Sequence, residues 1–420
     1  MDNARAMAPP TADLPQDQQE GVQFALKLGR TLHIYGAPAN RLEAVMNVLS
    51  QEMGLKAHSM AMPTALMVSF DLPGEDGYAH LYRLHRNEQD FDKLARLDQL
   101  WNEVVDKRMT PSEGIRKIDE IDEQPPLYGR TLQMLCFGLS SAAASTFFGG
   151  GPNEMILAGA AGFVLSLFLM IAGPRRELLG LHELLGAALV AATTAGGAHL
   201  LGGANADVAT LAGLIILLPG FSMTIAVSEL AQRNLVSGTA RLAWSALLLM
   251  MLAFGVLAGR TAIDQLVGIT PFVDPGTPWE PWVLHAAIVI AGVTLGVLFQ
   301  AQKRDLPWIT LAVFAPFLAL QAGMAELGRE LGVFFGALIA GAGSNLYARA
   351  FDRPATITRL PGILVLVPGS LGFLSITELM RESGDPLRGL QDGFAVFAVA
   401  LALVTGLLVS NAIIPPRKAL

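Results

Sequence analysis

The chain is short of cysteine and of charge, and each shortage closes off a class of protein. One cysteine, Cys136, stands in 420 residues. Neither a disulfide framework nor a cysteine-based metal knuckle can be built from it, and Cys136 itself falls inside an apolar run. Only 15% of residues are charged, against 52% hydrophobic, with a mean hydropathy of +0.46. That balance excludes an ordinary soluble globule and points to an integral membrane protein. No basic cluster with interleaved aromatics is present, so nucleic acid is not an expected partner. No Walker A string is present, so ATP is not expected to be the direct energy source. His33, His58, His80 and His85 lack metal-ligand spacing, and no metal or other cofactor is expected. The opening residues, MDNARAMAPPTADLPQDQQE, carry no apolar h-region, so no cleaved signal peptide is expected.

What charge there is lies unevenly. Residues 1–130 hold 20 Asp/Glu and 14 Lys/Arg, while 131–420 hold 16 and 15. This divides an acidic water-facing region from a nearly neutral membrane region. Residues 1–18, rich in Pro, Asp, Gln and Ala, read as a disordered tail. Residues 19–125 read as a small cytoplasmic α/β domain. Apolar residues at helical spacing run from Gln19 to a closing Gly36, and a second helix spans Ala39 to Met53. Residues 57–70 and 78–84 read as strands, and Asp90–Lys107 as a helix. Thr110, Pro111 and Glu113 open another helix, reaching about Glu123, with a capping box. Its most specific local string is GAPANRLE, with Gly36, Pro38, Arg41 and Glu43. On physics alone a Gly-x-Pro turn ahead of a helix serves the turn, and Arg41 and Glu43 read as solvated.

From Leu132 onward, apolar blocks of about 20 residues follow one another. The expected spans are 132–150, 154–173, 181–201, 207–229 and 239–259, then 281–299, 306–325, 331–350, 357–379 and 391–413. An offset of 149 carries the first five approximately onto the second five. The expected fold is therefore a polytopic α-helical membrane protein with ten transmembrane helices, repeat 1 over 131–265 and repeat 2 over 280–414. Of the basic residues near span ends, eleven (Arg175, Arg176, Arg233, Arg241, Lys303, Arg304, Arg349, Arg353, Arg359, Arg417, Lys418) fall on one side and four (Arg260, Arg329, Arg381, Arg388) on the other. The positive-inside rule then places both termini in the cytoplasm. Five spans per repeat is an odd number, so the second copy enters from the opposite face and the repeat is inverted, the geometry of alternating access.

The repeat carries one costly pattern twice. LLPGFSMTIAVSEL around Leu217 aligns with LVPGSLGFLSITEL around Leu366, pairing Pro219 with Pro368, Gly220 with Gly369 and Glu229 with Glu378. Pro-Gly breaks a helix, and a carboxylate in apolar surroundings is expensive. Backbone groups freed at mid-depth are tolerated only where they face protein or a water-filled cavity, and freed N–H groups suit a carboxylate-bearing solute. Pro219, Gly220, Pro368 and Gly369, with the hydroxyls of Ser222, Thr224, Ser370 and Ser375, are the candidate substrate-binding residues. Asn345 joins them from a small-polar face (Gly341, Gly343, Ser344) that also suits close helix packing. Glu229, Glu378 and Glu183 are candidates for proton coupling, because burial raises a carboxylate pKa toward the working range. The alternatives are that Pro and Gly act as simple kinks and that the glutamates cap or pair with Arg233 and Arg381. FFGGGPNE, Phe147 to Glu154, reads as a tight external turn.

GAPANRLE with the following PTALMVSF, the Asp-Phe-Asp-Lys-Leu helix, FFGGGPNE, HELLGA and the two PG…EL motifs together resemble the threonine/serine exporter family, from about residue 19 onward. The resemblance implies export of threonine and serine across the cell (inner) membrane, driven by the proton motive force, in a fused form of exporters that elsewhere occur as two proteins. Split members imply succinate as the alternative substrate. The interior lacks the Arg or Lys a doubly charged anion would favour, since the basic residues lie at span ends. An enzyme is not expected: no Ser-His-Asp order or nucleophile elbow supports a membrane-anchored hydrolase. A passive channel is the further alternative. The expected partners are the small-molecule substrate, protons, the lipid bilayer and a further copy of the chain in a homo-oligomer.

Overall fold

The computed structural model describes the chain apart from residues 1–14, 38, 53–55, 72–77, 84–88, 174–179, 232, 269, 271, 273–278, 381–384 and 417–420, and apart from the side chains at 17, 39–41, 71 and 78. Most of the expected tail, Pro38, the Arg41 side chain, Arg175, Arg176, Arg381, Arg417 and Lys418 thus lie outside the described residues. The chain divides into two compact units, Met1–Leu127 with Ala348–Thr356 and Arg417–Leu420, and Tyr128–Tyr347 with Ile357–Pro416.

The first unit contains α1 (Gln16–Ile34), α2 (Ala39–Glu52), β1 (Lys56–Met62), β2 (Ala65–Asp71), β3 (Tyr78–Arg83), α3 (Phe91–Val105) and α4 (Pro111–Asp122). The three strands form one antiparallel sheet in the order β1-β2-β3. The stretch 57–70, expected as one strand, is two: Met62 pairs with Ala65 across a turn at Pro63 and Thr64. Phe24, Leu28, Leu32, Leu42, Met46, Leu66, Leu97, Trp101 and Ile118 are fully buried and form the core. Gly29 of α1 lets the helix settle on the Met46 sulfur and Leu66, where a Cβ would stand 3.0 Å from the sulfur. The expected capping box is present at α4: Thr110 Oγ1 accepts the Glu113 N–H at 3.3 Å, and Glu113 accepts the Thr110 N–H at 3.1 Å. Thr110→Ala is expected to cost about 1 kcal/mol, read as faster amide hydrogen exchange across α4 with α1 unchanged.

The second unit is helical: α5 (Arg130–Phe147), α6 (Pro152–Ala172), α7 (His182–Leu200), α8 (Ala206–Gly213), α9 (Gly220–Ala231), α10 (Leu235–Val267), α11 (Pro281–Leu298), α12 (Leu306–Leu327), α13 (Arg329–Phe351), α14 (Thr356–Leu364), α15 (Gly369–Met380) and α16 (Pro386–Ile413). Helical segments coincide with all ten expected spans. Among the described residues, seven stretches are long and apolar enough to cross a bilayer: α6, α10, α11, α12, α13, Thr356–Met380 and α16. The six-residue break ending at Pro219 leaves α8 and α9 too short to count, whereas the four-residue break ending at Pro368 leaves Thr356–Met380 among the seven. In α5 and α7 the reason is composition, because runs of Ala, Gly, Ser and Thr lower their hydropathy. Their hydroxyls are tied inside the unit: Ser140 Oγ donates to Thr294 Oγ1 at 2.7 Å, and Thr194 and Thr210 share a bond of 2.6 Å.

Small residues set the helix spacing. A Cβ at Gly255 or Gly259 of α10 would lie 2.3 Å from the Leu184 carbonyl oxygen or 2.1 Å from that of Ala188, both on α7. Likewise, a Cβ at Gly406 of α16 would lie 2.4 Å from the Phe334 oxygen of α13. The same pairing of third helix with last helix thus recurs in each half. Between the halves, α9 packs on α16 and α15 packs on α10.

Candidate functional site

Two broken helices build the centre of the membrane unit. After α8, Leu217 N–H and Leu218 N–H both reach back to the Leu214 carbonyl, at 2.8 and 3.2 Å, and the chain re-enters helix with Met223 N–H on the Pro219 carbonyl at 2.9 Å. After α14 the pattern repeats: Leu366 N–H bonds the Ile363 carbonyl at 2.8 Å, and Gly372 N–H bonds the Pro368 carbonyl at 3.0 Å. Proline has no N–H to continue the ladder, so each break coincides with its Pro-Gly pair. The N–H groups of Gly220, Phe221 and Ser222, and of Gly369, Ser370 and Leu371, precede the first intrahelical donors of α9 and α15.

These two helix starts touch. A Cβ at Gly220 would stand 2.9 Å from both Cα and N of Gly369, and one at Gly369 would stand 3.0 Å from the Gly220 Cα. Only glycine permits this backbone approach. Met223, Phe373 and Leu249 enclose it on one side and Phe221, Val367 and Leu366 on the other, with Leu371 packed against both clusters.

The candidate hydroxyls divide into two pairs. Thr224 is buried and donates to its own helix at the Gly220 carbonyl, 3.1 Å away; Ser375 is buried and donates to the Gly389 carbonyl of α16 at 2.7 Å. Ser222 and Ser370 are half-buried and have no hydrogen-bond partner among the described residues. Their hydroxyls are the ones free to meet a solute.

The carboxylates do not share this centre. Glu229 and Glu378 each lie nine residues beyond their glycine, roughly 13 Å along the helix. Glu229 is buried and accepts from Arg241 of α10 at 3.3 and 3.4 Å. Its partner is therefore Arg241, not Arg233, which is exposed in a left-handed turn (φ 65°). Glu378 is half-buried and, among the described residues, accepts only the Asp385 N–H, at 3.4 Å. Glu183, in the first turn of α7, buries a carboxylate oxygen that has no hydrogen-bond partner among the described residues.

Asn345 on α13 is fully buried and fully occupied. Its Nδ2 donates to Asn411 Oδ1 at 2.9 Å and to the Ile414 carbonyl at 2.6 Å, and its Oδ1 accepts from Arg359 Nη2. Arg359 and Asn411 were not legible as site residues. Arg359, a basic residue near the start of α14, is half-buried, with its Nε buried and unpaired. Its one sequence signal is the cation nine residues ahead of Pro368, where repeat 1 has Thr210.

In the first unit, Gly36 takes φ 88°, and a Cβ there would collide with the Gln89 amide at 2.3 Å. Glu43 Oε1 accepts the Ala61 N–H of β1 at 3.1 Å, so this carboxylate ties α2 to the sheet. Nearby, Asp90 caps α3 by accepting the Lys93 N–H at 3.0 Å; burial pushes its carboxyl up, against the pull of that bond. At the FFGGGPNE turn, Gly149 takes φ 78°, and buried Glu154 accepts the N–H groups of Gly151 and Asn205 at 2.7 and 2.6 Å.

Comparison with known proteins covers both halves. Residues 23–262 match one family model of threonine/serine exporters and residues 285–413 match a second. Curated relatives include Pheromone-regulated membrane protein 10 of Zygosaccharomyces rouxii, 24% identical over 94% of this chain and 43% of the relative. The protein of that name from Kluyveromyces lactis is 25% identical, over 96% of this chain and 44% of its own length. An uncharacterized Schizosaccharomyces pombe protein is 24% identical over 96% and 56%. The chain thus spans about half the length of these relatives. No solved structure matches it.

Proposed function

The chain belongs to the threonine/serine exporter family, and from that premise we propose that it exports threonine and serine as a secondary-active transporter driven by the proton motive force. The observation that carries this reading is the contact between Gly220 and Gly369 at two helix starts. Each start presents N–H groups without intrahelical acceptors and the positive end of a helix dipole. Converging, they suit the carboxylate of an amino acid, with the Ser222 and Ser370 hydroxyls beside it.

The framework proposed around this centre is ten spans in two inverted sets of five, with both termini on the cytoplasmic side of the cell (inner) membrane. The exchange of partners between the halves, α9 on α16 and α15 on α10, supports a pseudo-two-fold relation. Reporter fusions after Asn153 and Ala204 are expected to report outside, and those after Gly238 and Asp352 inside. One reversed result among these four would break the inverted arrangement.

Succinate is the second reading, favoured by Arg359, a half-buried cation whose Nε is buried without a partner and which a dicarboxylate could use. Counterflow in proteoliposomes with labelled threonine, serine and succinate separates the two. Trans-acceleration by threonine and serine supports the first reading, and by succinate alone the second. Accumulation against a gradient when a proton gradient is imposed, in place of passive equilibration, distinguishes a coupled exporter from a channel.

A further inference from the structure

We infer that Arg359 is a carboxylate-binding residue, the first anchor for the acid group of a solute on its way to the Pro-Gly centre. The inference rests on the exporter reading for the identity of the solute and on the structure for the site. A guanidinium carries five N–H donors and no acceptor. That of Arg359 makes one hydrogen bond, from Nη2 to the neutral amide oxygen of Asn345, and its Nε is buried with no partner. No carboxylate pairs with it among the described residues. The residue is half-buried, and withdrawing even part of a cation from water without a counter-charge is costly. An arginine whose task is to join helices would be expected to close its planar fork on a carboxylate or on free carbonyls.

The surroundings hold the fork in place without neutralising it. Asn345 is fully buried and is itself fixed by Asn411 Oδ1 and by the Ile414 carbonyl at the end of α16. The Ile414 carbonyl makes no bond to Arg359 among the described residues. Ser344 donates its hydroxyl to the Ala340 carbonyl at 2.6 Å and makes no bond to Arg359 among the described residues. The result is a positioned guanidinium with open donors on three helices' worth of support, α13, α14 and α16. Arg359 also precedes Pro368 by nine residues in the same broken segment, on α14, which ends at Leu364. A solute approaching Gly369 along α14 would meet this charge first. Asn345 is then a positioning residue, acting through Arg359.

The test uses the full chain in phosphatidylcholine nanodiscs, with equilibrium binding of L-threonine, succinate and L-threoninol, which lacks the carboxylate, and threonine exchange in proteoliposomes. Loss of one charge-assisted bond of this kind is expected to weaken acid binding about tenfold in Arg359→Gln. Arg359→Lys, which keeps the charge but not the fork, should recover part of it, and weak threoninol binding should not change. Monodisperse elution and an unchanged melting temperature of Arg359→Lys guard against misfolding. Wild-type affinity for the acids in Arg359→Gln overturns the inference; if exchange persists in that variant, the exporter reading stands without this site. Binding that depends on Arg359 in a chain that exchanges no threonine supports the site and removes the substrate reading. No acid binding by the wild type, or retention of phosphatidylglycerol that depends on Arg359 without response to threonine, overturns the assignment in favour of an empty or a lipid-headgroup site.

Discussion

Gly220→Ala should abolish transport in every mode while leaving a chain that still inserts. The added Cβ would lie 2.2 Å from Val367 Cγ1 and 2.9 Å from the Gly369 backbone. A side-chain methyl can rotate away, but the backbone of a second helix start cannot, so the two breaks must separate. Overpacking of this kind costs about 1–3 kcal/mol, enough to displace two helix starts whose backbones touch here. Gly369→Ala meets the Gly220 Cα at 3.0 Å and N at 3.1 Å, a slightly looser fit, and should retain more activity than Gly220→Ala. Gly343→Ala is the internal control, because nothing lies within 4 Å of its added Cβ. Exchange of labelled threonine, measured beside the melting temperature of each purified variant, reads the result. Wild-type exchange in Gly220→Ala would mean that the two Pro-Gly pairs do not form one centre.

How much of this was readable in advance depends on the distance over which each feature is specified. The Pro-Gly breaks, the α4 capping box and the helical boundaries are local, set by a missing N–H or a side chain three residues away, and the chain shows them directly. The turn at Pro63 and Thr64 hid because AMPTALMV has apolar residues on both sides of it, with no Asn-Gly or Asp-Gly pair to mark the hairpin. Arg241 as the partner of Glu229 required knowing that α9 and α10 fold back on each other, twelve residues apart in sequence. Asn411 and Ile414 reach Asn345 across 66 and 69 residues, and no periodicity carries that information. The contact of Arg359 with Asn345 is hidden for a different reason. Counting basic residues assigns each to the nearer span end, and cannot tell a solvated arginine from one folded against a buried amide.

The same asymmetry between local and distant partners makes the two matched glutamates unequal. Glu229 sits against Arg241 with both side chains largely buried, 9% and 18% exposed. Glu229→Gln leaves that guanidinium with a neutral partner, and loss of such a charged hydrogen-bonded pair costs about 1.5–3 kcal/mol. Its expected phenotype is a lower melting temperature and a proportional fall in export and exchange alike. Arg241→Gln should do the same, and the double variant should lose less than the sum of the two. Glu378 has no cation within salt-bridge distance among the described residues, and holds a single backbone N–H at 3.4 Å. A glutamine there can still accept that bond, so Glu378→Gln should fold as the wild type does. If this carboxylate carries the proton, the variant loses export driven by an imposed pH gradient but keeps threonine–threonine exchange, which moves no net proton. Measuring both modes on Glu229→Gln and Glu378→Gln in the same vesicles assigns the roles. Equal loss of both modes in Glu378→Gln would reduce Glu378 to a capping group and leave Glu183 as the coupling candidate.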